Sequence, residues 1–74
     1  MQHKLDALGK ACPMPIVLVH KAMNKIEIGD ILHVVADDAA FSEDIRAWCR
    51  KTKHELVSLR QMGVEYHAEI RKTS

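Results

Sequence analysis

The chain has 74 residues, 47% of them apolar and 28% charged. That is room for one domain, and it is too apolar for a disordered chain. A domain this small buries only roughly 60% of its extended-chain surface, so it cannot enclose both a large cofactor and a deep cleft. Its chemistry belongs at the surface or is completed by a partner. Eleven Lys and Arg against ten Asp and Glu give a formal +1, which excludes a strong overall field for nucleic acid or an anionic membrane.

Lys4-Leu5-Asp6-Ala7 is short and alternating and predicts a first strand. Gly9-Lys10-Ala11-Cys12-Pro13 breaks it. The spacing predicts a helix over Met14 to Ile26, with Leu18, Ala22 and Ile26 in one line and Val19 and Met23 beside it. Lys21 and Lys25 fall toward solvent, and Gly29-Asp30 ends the connection. Ile31 to Ala36 is rich in branched residues and predicts a largely buried strand.

Asp37-Asp38-Ala39-Ala40 is a polar break. Ser42 reads as the N-cap of a second helix, with Glu43 and Asp44 in its first turn. Phe41, Ile45, Trp48, Cys49 and Thr52 recur at helical spacing, with Arg46, Arg50 and Lys51 outside. Glu55 to Gln61 predicts a third strand, and Met62-Gly63 a turn. Val64, Tyr66, Ala68 and Ile70 then alternate with Glu65, His67, Glu69 and Arg71, a strand with one wet face. Lys72 to Ser74 reads as a frayed tail.

The predicted fold is a two-layer α/β (α+β) sandwich of order β-α-β-α-β-β, one domain over residues 1–74. It has a four-stranded mixed sheet with both helices on one face, right-handed helical crossovers and a hairpin at the last pair. No apolar run approaches the ~18 residues of a membrane span. The polar segment Met1 to Leu5 is not a signal peptide, so the expected location is cytoplasmic. Two cysteines are too few for a disulfide framework, and at 37 positions apart they are no CxxC pair. One bridge between them stays open; free thiols in a reducing compartment are the simpler reading.

The segment that carries chemistry is Gly9-Lys10-Ala11-Cys12-Pro13-Met14-Pro15. Proline is tolerated in a first helical turn because its missing N–H has no partner there. Pro13 also biases Cys12 away from the α region. Cys12 is therefore expected at or near the N-cap, where free N–H groups and the helix dipole lower a thiol pKa and stabilise an anionic adduct such as a persulfide. Pro13 and Pro15 shape that helix start, and Lys10 adds positive charge. The plainer reading is an ordinary cysteine at a Pro-rich helix start.

Leu5-Asp6-Ala7-Leu8-Gly9-Lys10-Ala11-Cys12-Pro13-Met14-Pro15 resembles the signature of the TusA/SirA-like sulfur-carrier family. The resemblance covers almost the whole chain. It includes Lys21 in the first helix, Gly29-Asp30, Asp37-Asp38, Asp44-Ile45, Trp48 and His54. It implies a small two-layer protein that carries sulfane sulfur as a persulfide on Cys12, a sulfurtransferase-type carrier with no cofactor. It also implies a cysteine desulfurase or rhodanese-like donor, and a downstream acceptor protein in tRNA thiolation, cofactor synthesis or sulfur oxidation. Lys10 and Lys21 would lend electrostatic support. The chain departs from the family at Ala7, at Ala39-Ala40 and at Lys53, where a glycine-rich feature is common. Two rival functions are a non-catalytic interaction or regulatory domain and a single-thiol redox module.

Other residues read more simply. Cys49 is a small buried hydrophobe, with a resolving thiol as the alternative, and Trp48 is a core anchor. Asp6 is structural. The five histidines lack zinc-like spacing. His20 follows Cys12 by about 12 Å of helix, and only folding could bring His33 to His54. No metal site is therefore expected. Asp37, Asp38, Glu43 and Asp44 read as capping residues in a solvated loop, with a docking patch or cation site as the alternative. Arg46, Arg50, Lys51 and Lys53 form a basic patch near the helix end, suited to a protein partner. No aromatic residues interleave with it, so direct nucleic-acid binding is not expected.

Overall fold

Strand alternation decides the architecture. In a computed structural model describing residues 1–74, the chain forms β1 (Gln2–Ala7), α1 (Met14–Met23), β2 (Ile31–Ala36), α2 (Phe41–Thr52), β3 (Glu55–Met62) and β4 (Glu65–Arg71). The sheet order is β1-β2-β4-β3. β1 runs parallel to β2, and β4 runs antiparallel to both β2 and β3. The predicted order and mixed sheet are present.

One face of the sheet is largely apolar. Leu32 pairs across to Ile70 and Leu56, and Val34 to Ala68 and Leu59. The helices cover this face, α1 over β1 and β2, and α2 over β3 and β4. They bury one continuous core of Ala7, Val19, Met23, Leu32, Val34, Phe41, Ile45 and their neighbours. The other face has no second layer. β2 is therefore not largely buried as its composition predicts; it alternates, with Ile31, His33 and Val35 half-exposed. Its branched residues serve a central strand of a half-covered sheet.

The element ends differ from the sequence reading for local reasons. α1 stops at Met23 because the Lys25 N–H turns back to the Ala22 carbonyl at 3.0 Å, tightening the last turn. Ile26 stays buried just beyond it. α2 begins two residues earlier than an N-cap at Ser42 implies: Ala40 is the N-cap, and no side chain caps the helix. Asp38 instead binds the Ala40 N–H through Oδ2 at 3.1 Å and its carbonyl accepts from Phe41 at 3.0 Å. The β3–β4 loop is Gly63-Val64, and Gly63 takes the positive φ of 65° that a two-residue hairpin loop favours at its first position. β3 carries a bulge between Leu56 and Ser58, and Val57 is exposed there.

Lys53 ends α2 in the left-handed region, at φ 66°, with its N–H on the Cys49 carbonyl at 2.8 Å. A side chain there costs about 1–2 kcal/mol that glycine does not incur. Asp30, before β2, ties the same end of the sheet. It accepts from His3 Nε2 at 2.9 Å, the Glu27 N–H at 3.2 Å and the Met1 amine at 3.2 Å. These contacts, His3 foremost, hold its carboxyl down at about 2.

Two outcomes follow. Lys53→Gly should raise stability by about 1 kcal/mol in urea melts. Because the folded pKa of Asp30 lies below its ordinary value, its contacts stabilise the fold at neutral pH and are lost as pH falls through about 2. Asp30→Asn should therefore lower the urea midpoint at pH 7, and the gap from the parent chain should close as the pH approaches 2.

Candidate functional site

The β1–α1 loop is held from within and from the neighbouring loop. Asp6, near the end of β1, accepts the Leu8 N–H on Oδ1 at 2.9 Å. The Lys10 N–H returns to the Ala7 carbonyl at 3.3 Å. The Gly9 N–H donates to Asp37 Oδ1 at 3.0 Å, from the loop after β2. Cys12 follows, exposed and unbridged.

Pro13, not Cys12, is the N-cap of α1, and Pro15 lies buried in the first turn. The expectation of free N–H groups facing the sulfur fails for a simple reason. Pro13 and Pro15 have no N–H. The Met14 N–H is bonded to the Ala11 carbonyl at 2.9 Å, and the Ile16 and Val17 N–H groups to the Pro13 carbonyl at 3.1 Å each. The prolines that mark the segment remove the donors that a thiolate would need.

An acceptor stands in their place. The Cys12 thiol donates to Asp44 Oδ2 at 3.1 Å. That bond, with the negative charges of Asp44 and Asp38, raises the thiol pKa. This corrects the lowered pKa read from the sequence: the resting sulfur is a protonated thiol, held by the first turn of α2. Asp44 was legible only as a helix-start acid, because the pairing is made across two loops.

The other candidates divide. Lys10 is exposed on the same loop. Lys21 lies in the last turn of α1, roughly 10 Å along the axis from Met14. The charges that raise the Cys12 thiol are the carboxylates of Asp44 and Asp38. Cys49 is buried at 4% exposure, and burial pushes its thiol up to about 11. It is placed as a core residue and not as an accessible thiol. Trp48 packs at the core margin and against the His54 ring, 5.4 Å away. His33 meets His67 rather than His54. The acidic cluster separates into single tasks: Asp37 on Gly9, Asp38 on Ala40 and Asp44 on Cys12.

Leu8, Met14 and Val17 are exposed around the cysteine loop and the first turns of α1. Met14 and Val17 are neighbours at i and i+3. They lie off the buried line of Pro15, Val19 and Met23, and that offset is the sequence signal for an uncovered apolar rim.

Fold and site together define a small two-layer domain that presents one accessible sulfur ahead of a proline-flanked helix. The chain belongs to the family described as sulfurtransferase TusA, whose profile matches residues 3–72. It is also similar to the crystal structure of a SirA-like protein from Desulfitobacterium hafniense. The TM-score is 0.82 at 20% identity, over 97% of this chain and 99% of that one. That likeness establishes the fold. Family membership supports a sulfur-carrier type of role, exercised with partner proteins. No helix is long and apolar enough to cross a membrane.

Asp44→Asn removes the charge facing the sulfur. Iodoacetamide should then alkylate Cys12 faster at pH 7, and the midpoint of the rate–pH profile should fall. An unchanged profile would show that Asp44 does not hold the thiol.

Proposed function

We propose that this protein accepts sulfane sulfur as a persulfide on Cys12 and relays it to a partner protein. The observation that supports this most is the accessible Cys12 thiol held by Asp44 on the loop before α1. Loading is an exchange with a donor persulfide. The Cys12 sulfur attacks the outer sulfur of the donor, and the donor's S–S bond breaks with its electron pair going to the inner sulfur. The proton of the Cys12 thiol ends on the departing donor thiolate, a stronger base than the Asp44 carboxylate. Delivery is the same exchange: an acceptor thiolate attacks the outer sulfur of the Cys12 persulfide, and Cys12 leaves as a thiolate and regains a proton.

Asp44 gives this cycle a control. A thiol held above its ordinary pKa is a weak attacking group and a poor leaving group. A partner that draws Asp44 away from the sulfur speeds both loading and delivery. Pro13 and Pro15 keep the sulfur ahead of the helix and clear of internal donors. Lys10, on the same loop, offers positive charge to an anionic persulfide or to a docking partner. Lys21 is more distant and suits docking alone. The exposed Leu8, Met14 and Val17 provide an apolar rim for a donor such as a cysteine desulfurase or rhodanese-like protein, and for the acceptor that follows. The chemistry requires no cofactor. Sulfur relay to tRNA thiolation, cofactor synthesis or sulfur oxidation would differ only in the acceptor.

Incubation with a cysteine desulfurase and cysteine, or with a rhodanese and thiosulfate, should add the mass of one sulfur atom. Reduction should remove it, and Cys12→Ser should never acquire it. A disulfide without added sulfur would point to a redox module. No adduct under either condition would point to an interaction domain.

A further inference from the structure

The uncovered sheet face holds a second group of reactive side chains. A shallow open concavity there is lined by Lys4, Leu5, Asp6, His33, Val35 and His67. His33 Nε2 and His67 Nδ1 face each other across β2 and β4 at 3.4 Å. At that separation a hydrogen bond between the two nitrogens is weak. The separation matches a chelate: two imidazole nitrogens at about 2.0–2.1 Å from one metal ion stand about 2.9–3.4 Å apart, for angles from square-planar to tetrahedral.

The second nitrogen of His67 strengthens the match. Nε2 is bonded to Glu65 Oε1 at 3.1 Å. With Nε2–H donating to Glu65, Nδ1 keeps its lone pair free beside His33, the carboxylate–histidine arrangement that orients metal ligands and raises their basicity. His33 needs only to carry its proton on Nδ1 to present a second lone pair. The charges facing the pair favour a cation. Glu69 lies opposite His33 on β4, Glu65 binds His67, and Asp6 lines the same concavity, against Lys4 opposite His33 and Arg60 opposite His67.

We propose that His33 and His67 form a two-histidine site for an imidazole-preferring divalent transition metal ion, with Glu65 as the positioning carboxylate. No group of three or more His, Cys, Asp or Glu side chains is arranged to hold a metal. The chain therefore supplies two ligands, and water completes the shell. Such a site is exchangeable, and Cu²⁺ should bind more tightly than Ni²⁺ or Zn²⁺, following the general order for nitrogen ligands.

The test is a Zn²⁺ titration of the full chain carrying Cys12→Ser, so that the accessible thiol cannot contribute. Imidazole NMR resonances of His33 and His67 should shift together to a one-to-one endpoint, while those of His3, His20 and His54 stay in place. His33→Gln and His67→Gln should each weaken binding at least about tenfold, and Glu65→Gln about tenfold or more, as outer-shell carboxylates commonly do. All three positions lie on the uncovered face, so urea midpoints without metal report whether each variant is folded. Shifts confined to other histidines, or Zn²⁺ affinity unchanged in folded His33→Gln and His67→Gln, would overturn the proposal.

Discussion

Parallel pairing of β1 with β2 is the constraint from which the rest follows. Two parallel strands cannot be joined by a tight turn, so the chain must cross over through a helix. The crossover places α1 on one face of the sheet and the cysteine loop at the carboxyl ends of β1 and β2. The loop after β2 emerges beside it. Asp37 reaches the Gly9 N–H, and Asp44, one turn into α2, reaches Cys12. The site is thus assembled by two successive strand exits. In open α/β sheets the carboxyl ends of parallel strands are the usual place for chemistry. Here the exposed Cys12 lies at those ends.

The prolines have a different task from the one their sequence positions imply. A helix start with free N–H groups is an anion site. The start of α1 has its donors either absent or bonded within the turn, so it leaves the sulfur to the carboxylate of Asp44. The result is a sulfur that rests protonated and is exposed without being strongly nucleophilic. Such a thiol resists stray oxidation, because reactivity follows thiolate character as well as exposure.

Fold class was legible because it depends on local periodicity. The clean alternation from Val64 to Arg71, and the apolar stripe of α2, require only near neighbours in sequence. The single half-covered sheet was harder to see in β2. Its branched residues fit either a fully buried strand or a central strand with one open face, and only the pairing to β1 and β4 decides between them. Cys12 was legible from the company of Pro13 and Pro15, but its electrostatics were not. The charge that governs it stands 32 residues away, and a sequence does not show which of four nearby acids will point at a sulfur. His33 and His67, 34 residues apart, escaped notice for the same reason. Their alignment depends on the antiparallel register of β2 and β4, which no spacing rule encodes.

The bulge in β3 has a consequence beyond local geometry. β3 and β1 are the outer strands of the sheet, each with a row of backbone groups that no internal strand satisfies. A flat outer strand invites a stranger's chain to add on, and repetition of that event grows a fibril. The extra residue between Leu56 and Ser58 kinks this border and interrupts the ladder, so an incoming strand finds no continuous template. An irregularity of one residue in β3 thus guards one of the two borders.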